Sequence, residues 1–135
     1  MEKGFTIIEL LVVVAIIGLL ASVVVLGLND AQLKARDTQR LEQIQQISKA
    51  LNIYYVNNNQ FPIETTATTL TGSDDLSNAL IAEGAILVVP ADPRHPTYTY
   101  TYQSDASGST YTLTFCLETD AIPGYVSGCT NTITP

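Results

Sequence analysis

Residues 10–28 form an uninterrupted run of nineteen residues without a charged side chain, LLVVVAIIGLLASVVVLGL. As an α-helix with a rise of about 1.5 Å per residue, this run is roughly 28 Å long, which matches the hydrocarbon core of a bilayer. Because apolar side chains cover every face, the run predicts a helix surrounded by lipid or by other apolar helices. Several small residues in the run would let a second helix approach closely; they are Gly18, Ala21, Ser22 and Gly27.

Two other kinds of segment share this apolar composition. A cleaved secretory signal peptide also has a basic start, here Lys3, but nineteen apolar residues exceed its usual length and no A-x-A cleavage site follows. A plain single-pass anchor accounts for the length, but it does not account for Glu9 in an apolar segment that begins at Phe5. An ionised acid within a membrane span costs several kcal/mol unless it is paired or neutralised, so Glu9 needs its own explanation.

Residues 4–9 read GFTIIE, and with the apolar run that follows they resemble the N-terminal signature of type IV pilins and type II secretion pseudopilins. The resemblance implies that a prepilin peptidase on the cytoplasmic side removes residues 1–4 as a leader by cutting between Gly4 and Phe5. It also implies N-methylation of Phe5, which becomes the N-terminal residue of the mature chain. Many members of the family have proline where this chain has Leu26, so a proline kink is not available here.

Two roles for Glu9 follow. In the family's assembly model, the acid of one subunit neutralises the new N-terminal amine of a neighbour, here Glu9 and the amine at Phe5. A lone subunit in lipid tolerates Glu9 poorly whereas the polymer satisfies it, which favours polymerisation and sets the axial register between subunits. Alternatively Glu9 caps its own helix, because the helix dipole favours a carboxylate near the N-terminus. Both roles can hold together, since helical spacing places Phe5 and Glu9 on one face.

The helix is predicted to continue through residues 29–57, which contain neither Pro nor Gly. Apolar residues recur there at intervals of three and four and predict one buried face; they are Leu33, Leu41, Ile44, Ile47, Leu51 and Tyr54. The opposite face would carry Lys34, Asp37, Arg40, Gln43 and Lys49, with Asp37 and Arg40 as a same-face ion pair. Three consecutive Asn residues at 57–59, followed by Phe61 and Pro62, are expected to end the helix.

The rest of the chain predicts a small antiparallel sheet packed on this helix. Residues 97–103 and 110–118 alternate aromatic or aliphatic side chains with Thr, which is typical of two strands joined by a hairpin loop. Tyr98, Tyr100 and Tyr102 share one face of the first strand. At period two this row is interpreted as a core face rather than as a sugar-binding strip or an electron path.

The segment between the long helix and these strands has weaker signals. Residues 58–73 are interpreted as a Thr-rich loop, and Ser73 as the N-cap of a short helix that ends before Gly84. Residues 86–90 are expected to be extended.

The fold class is therefore expected to be α+β, with a long N-terminal helix packed on a small antiparallel sheet, the layout of the resembled family. Its first half would span the membrane and its second half would be amphipathic. The expected organisation is a leader at 1–4, a transmembrane or filament-core helix half at 5–28 and a globular head at 29–135. The head would comprise the amphipathic helix half at 29–57, a loop and short helix at 58–96, and the sheet with a disulfide loop at 97–135.

The chain has two cysteines, Cys116 and Cys129. In a Thr-rich segment behind a membrane signal they indicate a disulfide formed in an oxidising compartment, the alternative being two unrelated buried thiols. Since Cys116 falls on the Thr face of its strand, a bond to Cys129 would pin the C-terminal segment over the outer side or the edge of the sheet.

The cysteines place the head outside the cytoplasm. Basic residues, however, are more numerous after the apolar run than before it, which favours the opposite orientation under the positive-inside rule.

Composition and motifs exclude several functions. A net charge of −7 and a pI near 4.3 argue against a general nucleic-acid-binding protein, which needs a basic surface. The sequence contains no enzyme motif, and its single histidine, His95, is expected at the surface. Asp92, Asp105 and Asp120 have the oxygen ligands that suit calcium, but they lack EF-hand spacing, so we expect no cofactor and keep calcium as an alternative.

The sequence thus predicts a structural subunit that a prepilin peptidase processes and that polymerises into a helical homo-oligomer, a type IV pilus or a pilus-like filament. Before assembly it would be a single-pass protein of the cytoplasmic (inner) membrane, in contact with lipid and with the membrane assembly machinery. After assembly it would lie in an extracellular pilus or a periplasmic pseudopilus. The alternatives are a major or minor pseudopilin of a type II secretion system, and a non-polymerising anchored domain that binds a ligand, for which Gly4 and Glu9 would be dispensable.

Overall fold

The computed structural model describes residues 4–135, without the side chains of residues 24–26. Residues 1–3 of the predicted leader and the side chain of Leu26 therefore lie outside the described residues. The chain divides into two compact units, residues 1–33 and residues 34–135.

Helix α1 begins at Ile7 and ends at Asn58. From Ile7 to Leu28 its described apolar side chains are exposed, as Ile8 (70%) and Leu19 (68%) illustrate. By length and composition alone, α1 is a helix that could cross a membrane, and none of its most apolar eighteen-residue window is buried within the chain. Over residues 10–28 the described side chains of α1 are thus exposed on every face, as the apolar run predicts.

In the second unit α1 packs on a four-stranded antiparallel sheet with the spatial order β1-β2-β3-β4. The strands are β1 (Thr68–Leu70), β2 (Tyr100–Ser104), β3 (Tyr111–Leu117) and β4 (Gly128–Ile133), and the short helix α2 (Asp75–Ala82) lies between β1 and β2 in the chain. The α+β prediction, a long N-terminal helix on a small antiparallel sheet, is confirmed.

The core of the second unit lies between α1 and one face of this sheet. The helix contributes Ile44, Ile47 and Leu51, each fully buried, to this core. The interpretation of the tyrosine row as a core face is confirmed for Tyr100 and Tyr102, whose exposed fraction is 0%.

Each buried phenol also has a hydrogen-bond partner. The Tyr100 hydroxyl donates to Gln43 Oε1 (2.6 Å), and the Tyr102 hydroxyl donates to the Pro62 carbonyl (2.7 Å). The hydroxyls of Tyr111 and Ser48 are hydrogen-bonded to each other (2.9 Å). Burying a phenol hydroxyl without such a partner is costly, and the bonds to Gln43 and Ser48 link the aromatic face of the sheet to α1.

Two strands were not predicted. β1 lies inside residues 58–73, which were interpreted as a loop. Its three residues are too few to show an alternating pattern. The strand forms because it pairs with β2, with Thr68 opposite Tyr102. β4 pairs with β3 as the edge of the sheet, with Ile133 opposite Leu113. Its side chains are mostly exposed, so it lacks the apolar alternation of a strand with one buried face.

The N-cap of α2 is Asp74 rather than the predicted Ser73. The Asp74 carboxylate accepts from the backbone N–H of Ser77 (2.9 Å) and also from that of Thr71 (2.7 Å). An ionised carboxylate that can reach two backbone donors outcompetes a neighbouring hydroxyl as a cap. Gly84 follows the helix as predicted, at φ +69°.

Asp37 and Arg40 were predicted on the face of the helix opposite the apolar residues, and this prediction is wrong about their environment. Both residues are 0% exposed. They form the predicted ion pair with each other, but their other partners come from parts of the chain more than fifty residues away, namely Asp92 and the residues at the end of β3. Helical periodicity cannot show that remote segments cover a polar position.

Candidate functional site

The first turn of α1 is closed by a capping box. Thr6 precedes the helix, and its backbone N–H (2.9 Å) and hydroxyl (2.7 Å) both donate to Glu9 Oε2. In return the Glu9 backbone N–H donates to the Thr6 hydroxyl oxygen (3.3 Å). The two residues thus satisfy donors that the start of a helix would otherwise leave unpaired. Capping of its own helix, one of the two roles considered for Glu9, is present in the single chain.

Phe5 lies just before the helix and is 83% exposed. It lines a shallow apolar groove on the first unit, together with Ile8, Glu9, Val12 and Val13. Phe5 and Glu9 therefore share one surface, as expected. The reason is the path of the chain into the helix, since α1 begins only at Ile7.

Gly4 is also exposed. A Cβ added at this position would meet no described atom within 4 Å. The described part of the fold therefore gives no steric reason for glycine here. The peptide bond between Gly4 and Phe5 lies between two exposed residues, where an enzyme can reach it.

Sequence reasoning missed the part that Thr6 plays at this site. The pattern Thr-x-x-Glu in front of an apolar run is the sequence signature of a capping box, and it could have identified the pair Thr6 and Glu9.

The predicted disulfide is confirmed, since Cys116 is bonded to Cys129. Cys116 lies in β3 and is buried, whereas Cys129 lies in the edge strand β4 and is exposed. The bond closes a loop with a sequence separation of 13 residues and holds the C-terminal strand to the sheet. In the chain-entropy account, closing a loop of this size stabilises a fold by roughly 3 kcal/mol.

A buried charge cluster joins α1 to two remote segments of the second unit. The Arg40 guanidinium donates to Asp92 (Nε to Oδ2, 2.8 Å) and to Asp37 (Nη1 to Oδ1, 2.9 Å), and its Nη1 lies 3.2 Å from Glu118 Oε2. Asp37 also accepts from the backbone N–H groups of Glu118 and Thr119, each at 2.8 Å. One buried cation therefore ties together the helix, the segment before β2 and the end of β3.

Two further arginines complete this cluster at its exposed side. Arg36 Nε (2.7 Å) and Arg94 Nη1 (2.7 Å) both contact the Glu118 carboxylate. Burial would raise the pKa of Glu118, but the hydrogen bonds from Arg36, Arg94 and Arg40 outweigh burial and lower the pKa to about 2. Burial likewise would lower the pKa of Arg40, but its bonds to the carboxylates raise the pKa above the ordinary value. Glu118 and Arg40 are therefore both charged at neutral pH.

The three aspartates considered for calcium lie in different surroundings. Asp92 is buried against Arg40. Asp105 accepts from the backbone N–H groups of Ser109 (2.7 Å) and Thr110 (3.0 Å) in the hairpin loop, and Asp120 accepts from that of Ser127. Within residues 4–135, the structure brings together no group of three or more His, Cys, Asp or Glu side chains that could hold a metal ion.

Comparison with family models gives two matches that together cover most of the chain. The model described as "Type II secretion system (T2SS), protein G" matches residues 28–124. The model described as "Prokaryotic N-terminal methylation motif" matches residues 1–25. The second match contains Gly4, Phe5, Thr6 and Glu9, and the first begins where the apolar run ends.

The individual relatives include core proteins G of type II secretion systems and fimbrial or pilin proteins. The type II secretion system core protein G of Escherichia coli K12 is 37% identical over 101 residues, which are 68% of this chain and 66% of the relative. The core protein G of Aeromonas hydrophila is 35% identical over 101 residues, 68% of this chain and 67% of the relative. A fimbrial protein of Neisseria meningitidis serogroup A is 30% identical over 81 residues, 60% of this chain and 48% of the relative. The chain thus spans about half the length of the fimbrial relative and about two thirds of the core proteins G. No solved structure matches the chain.

Proposed function

Because the chain belongs to the type II secretion system protein G family of pilin-like proteins, we propose that it is a subunit that a prepilin peptidase processes and that polymerises into a pilus-like filament. Proteins of the pilin and pseudopilin families are structural proteins and not enzymes. The proposal depends above all on Glu9, a carboxylate on a helix whose other described side chains near it are apolar and exposed.

In this proposal the peptidase removes residues 1–4, and Phe5 becomes a methylated N-terminal residue with a positive amine. Glu9 of one subunit then pairs with the Phe5 amine of a neighbour. The Thr6 hydroxyl and backbone N–H hold the Glu9 carboxylate beside the groove that Phe5 lines, which supports such a pairing. In lipid the carboxylate is costly, and in the filament it has a counter-ion, so assembly is favoured.

The same proposal assigns a place to each unit of the chain. Before assembly the first unit crosses the cytoplasmic membrane in contact with lipid and with the assembly machinery, and residues 34–135 lie outside the cytoplasm. The disulfide between Cys116 and Cys129 supports this orientation, because such bonds persist in oxidising compartments. In the filament the apolar helices pack together and the heads cover them.

The kind of filament has two candidates. The match of residues 28–124 to protein G favours a pseudopilus of a type II secretion system. The fimbrial relative, 30% identical over 81 residues, favours an extracellular type IV pilus as the second candidate. Electron microscopy of the producing cell separates them, since long surface filaments indicate a pilus and filaments confined to the envelope indicate a pseudopilus.

The test is substitution at the cleavage and pairing positions in the producing cell. Glu9→Leu should leave processed protein in the membrane with few or no filaments, whereas Glu83→Leu, which removes an exposed acid from the head, should assemble normally. Gly4→Val should block processing without lowering the melting temperature, because nothing described contacts this position. Intact mass would show the retained leader.

Abundant filaments from Glu9→Leu would rule out the pairing. A wild-type product that is monomeric and retains residues 1–4 would instead indicate the non-polymerising anchored domain.

A further inference from the structure

Two neighbouring apolar side chains on the second unit are largely exposed. Leu87 is 92% exposed and Val88 is 70% exposed. They lie in the segment between α2 and β2, and residues 84–91 contain no charged residue. We call these two residues the loop tip.

The segment that carries the loop tip is held on both sides. Before it, the Ala85 backbone N–H donates to the Leu80 carbonyl at the end of α2 (3.1 Å). After it, Val89 is buried, and its carbonyl oxygen lies against Gly72, where a Cβ would come within 2.8 Å. Asp92 follows, in its ion pair with Arg40. The fold therefore presents Leu87 and Val88 from an anchored segment, which reduces the conformational entropy lost when they bind.

A second exposed apolar surface lies at the end of α1. Ile53 (46% exposed) and Val56 (75% exposed) are three residues apart and share one helix face. Residues 50–63 contain no charged residue. We call Ile53 and Val56 the helix-end patch.

The loop tip and the helix-end patch lie toward opposite ends of the second unit. The loop tip lies beside Gly72, which follows Leu70 of β1, the residue opposite Tyr100, by two positions. Tyr98 precedes Tyr100 by two positions, and its ring centroid lies 5.1 Å from Arg40 Cζ. The loop tip is therefore at the level of Arg40. The helix-end patch follows Arg40 by thirteen to sixteen residues, which is roughly 20 to 24 Å along the helix. A contact between the two surfaces within one chain is therefore not available.

Area and charge indicate which partner covers the loop tip. Two side chains supply only a fraction of the roughly 800 Å² per partner that a stable interface buries, so the tip cannot hold a free partner by itself. It can contribute where another interface already brings the partner close. Copies of a chain with net charge −7 repel one another, so contact between two uncharged surfaces is the least opposed way for them to meet. A contact between two different surfaces is also heterologous, and such contacts build open filaments rather than closed dimers.

We propose that the loop tip of one subunit packs on the helix-end patch of a second copy of this chain in the filament. This contact rests on the proposed function, which supplies the helix packing that brings the copies together. It adds a head-to-head connection that uses neither Glu9 nor the apolar run.

The first test is cysteine crosslinking in filaments of the full chain. Leu87→Cys combined with Val56→Cys should give a ladder of dimers, trimers and higher oligomers under mild oxidation, because each subunit carries both halves of the contact. The native cysteines are bonded to each other and do not interfere. Each single variant, and Val126→Cys combined with Val56→Cys, should give no ladder, although Val126 is 57% exposed.

The second test measures filament yield after shearing. Leu87→Asp with Val88→Asp should lower the yield roughly tenfold, since burial of one or two aliphatic side chains is lost, while Val126→Asp should leave it unchanged. All variants should keep the wild-type melting temperature, because the changed side chains are exposed.

The outcomes separate this contact from the proposed function. Wild-type filaments with no ladder from the double-cysteine variant, or with full yield from the double-aspartate variant, would overturn the contact and leave the filament proposal intact. If the wild-type chain forms no filaments at all, the proposed function itself fails.

Discussion

Arg40 lies at the centre of the buried charge cluster of the second unit. It is 0% exposed and lies within 3.2 Å of oxygens from Asp37, Asp92 and Glu118. Three carboxylates around one cation would repel one another, but Arg36 and Arg94 add two positive charges at Glu118. The six side chains are therefore balanced in formal charge. A balanced cluster is the condition under which buried ions are tolerated in a protein interior.

Arg40→Met should destabilise the protein by about 3 to 5 kcal/mol, because it leaves Asp37 and Asp92 buried without their counter-ion. Lys49→Met, on the same helix but exposed, should change stability by less than about 0.5 kcal/mol. Urea denaturation of the purified chain in detergent measures both. An equal loss in the free energy of unfolding in the two variants would mean that the cluster does not stabilise the fold.

Glu118 makes stability depend on pH in the acidic range. Its folded-state pKa of about 2 lies below the ordinary value of 4.5, so ionised Glu118 stabilises the folded state above the ordinary pKa, and this contribution is lost as the pH falls toward 2. The difference in melting temperature between wild type and Glu118→Gln should therefore shrink on acidification from about pH 6 to pH 2.5. A difference that stays constant over this range would contradict the pairing of Glu118.

At the scale of elements, the hairpin between β2 and β3 holds the chain where it leaves α1. The Phe61 backbone N–H donates to the Gly108 carbonyl (2.8 Å), and the Phe61 ring packs on Tyr55 (4.7 Å) and Tyr111 (4.8 Å). Gly108 has φ +64°, and a Cβ there would lie 2.7 Å from the Phe61 carbonyl oxygen. The hairpin therefore needs glycine for its backbone conformation and also for this close approach.

Gly108→Ala and Gly124→Ala separate these two requirements. Gly124 also has a positive φ (+88°), but a Cβ there meets nothing within 4 Å. Gly124→Ala should cost about 1 kcal/mol through backbone strain alone, whereas Gly108→Ala should cost more than about 2 kcal/mol because the Phe61 carbonyl must also move. Chemical denaturation of the two variants tests this prediction. If Gly108→Ala lowers the free energy of unfolding no more than Gly124→Ala does, the hairpin backbone can shift away from Phe61 at little cost.

At the scale of the whole molecule, the two units differ in what they need from other molecules. Among the described residues, the fully buried apolar side chains of the core lie within residues 44–117 of the second unit. The described apolar side chains from Ile7 to Leu28 are exposed, and they require lipid or other helices as surroundings. The second unit is therefore expected to fold without the first, whereas filament assembly is expected to require the first unit.

A fragment of residues 34–135, produced in an oxidising compartment, should fold into a monomer with a cooperative thermal transition, because it contains the core, the charge cluster and the disulfide. Size-exclusion chromatography and circular dichroism measure this. The fragment should form no filaments under any condition in which the processed full chain does. An unfolded fragment would show that the first unit contributes to the stability of the second.

The sequence by itself determined the features that depend on neighbours along the chain. An uncharged run of nineteen residues predicts a helix in apolar surroundings, a period-two tyrosine row predicts one buried face, and two cysteines behind a membrane signal favour a disulfide between them. Tertiary structure decided what depends on remote segments: the edge strand β4, the three-residue strand β1, and the burial of Asp37 and Arg40. Periodicity marks which side of a helix is apolar, but a polar position is covered or exposed according to which distant groups can satisfy it. For Arg40 those groups are Asp92 and Glu118, and only the folded chain brings them there.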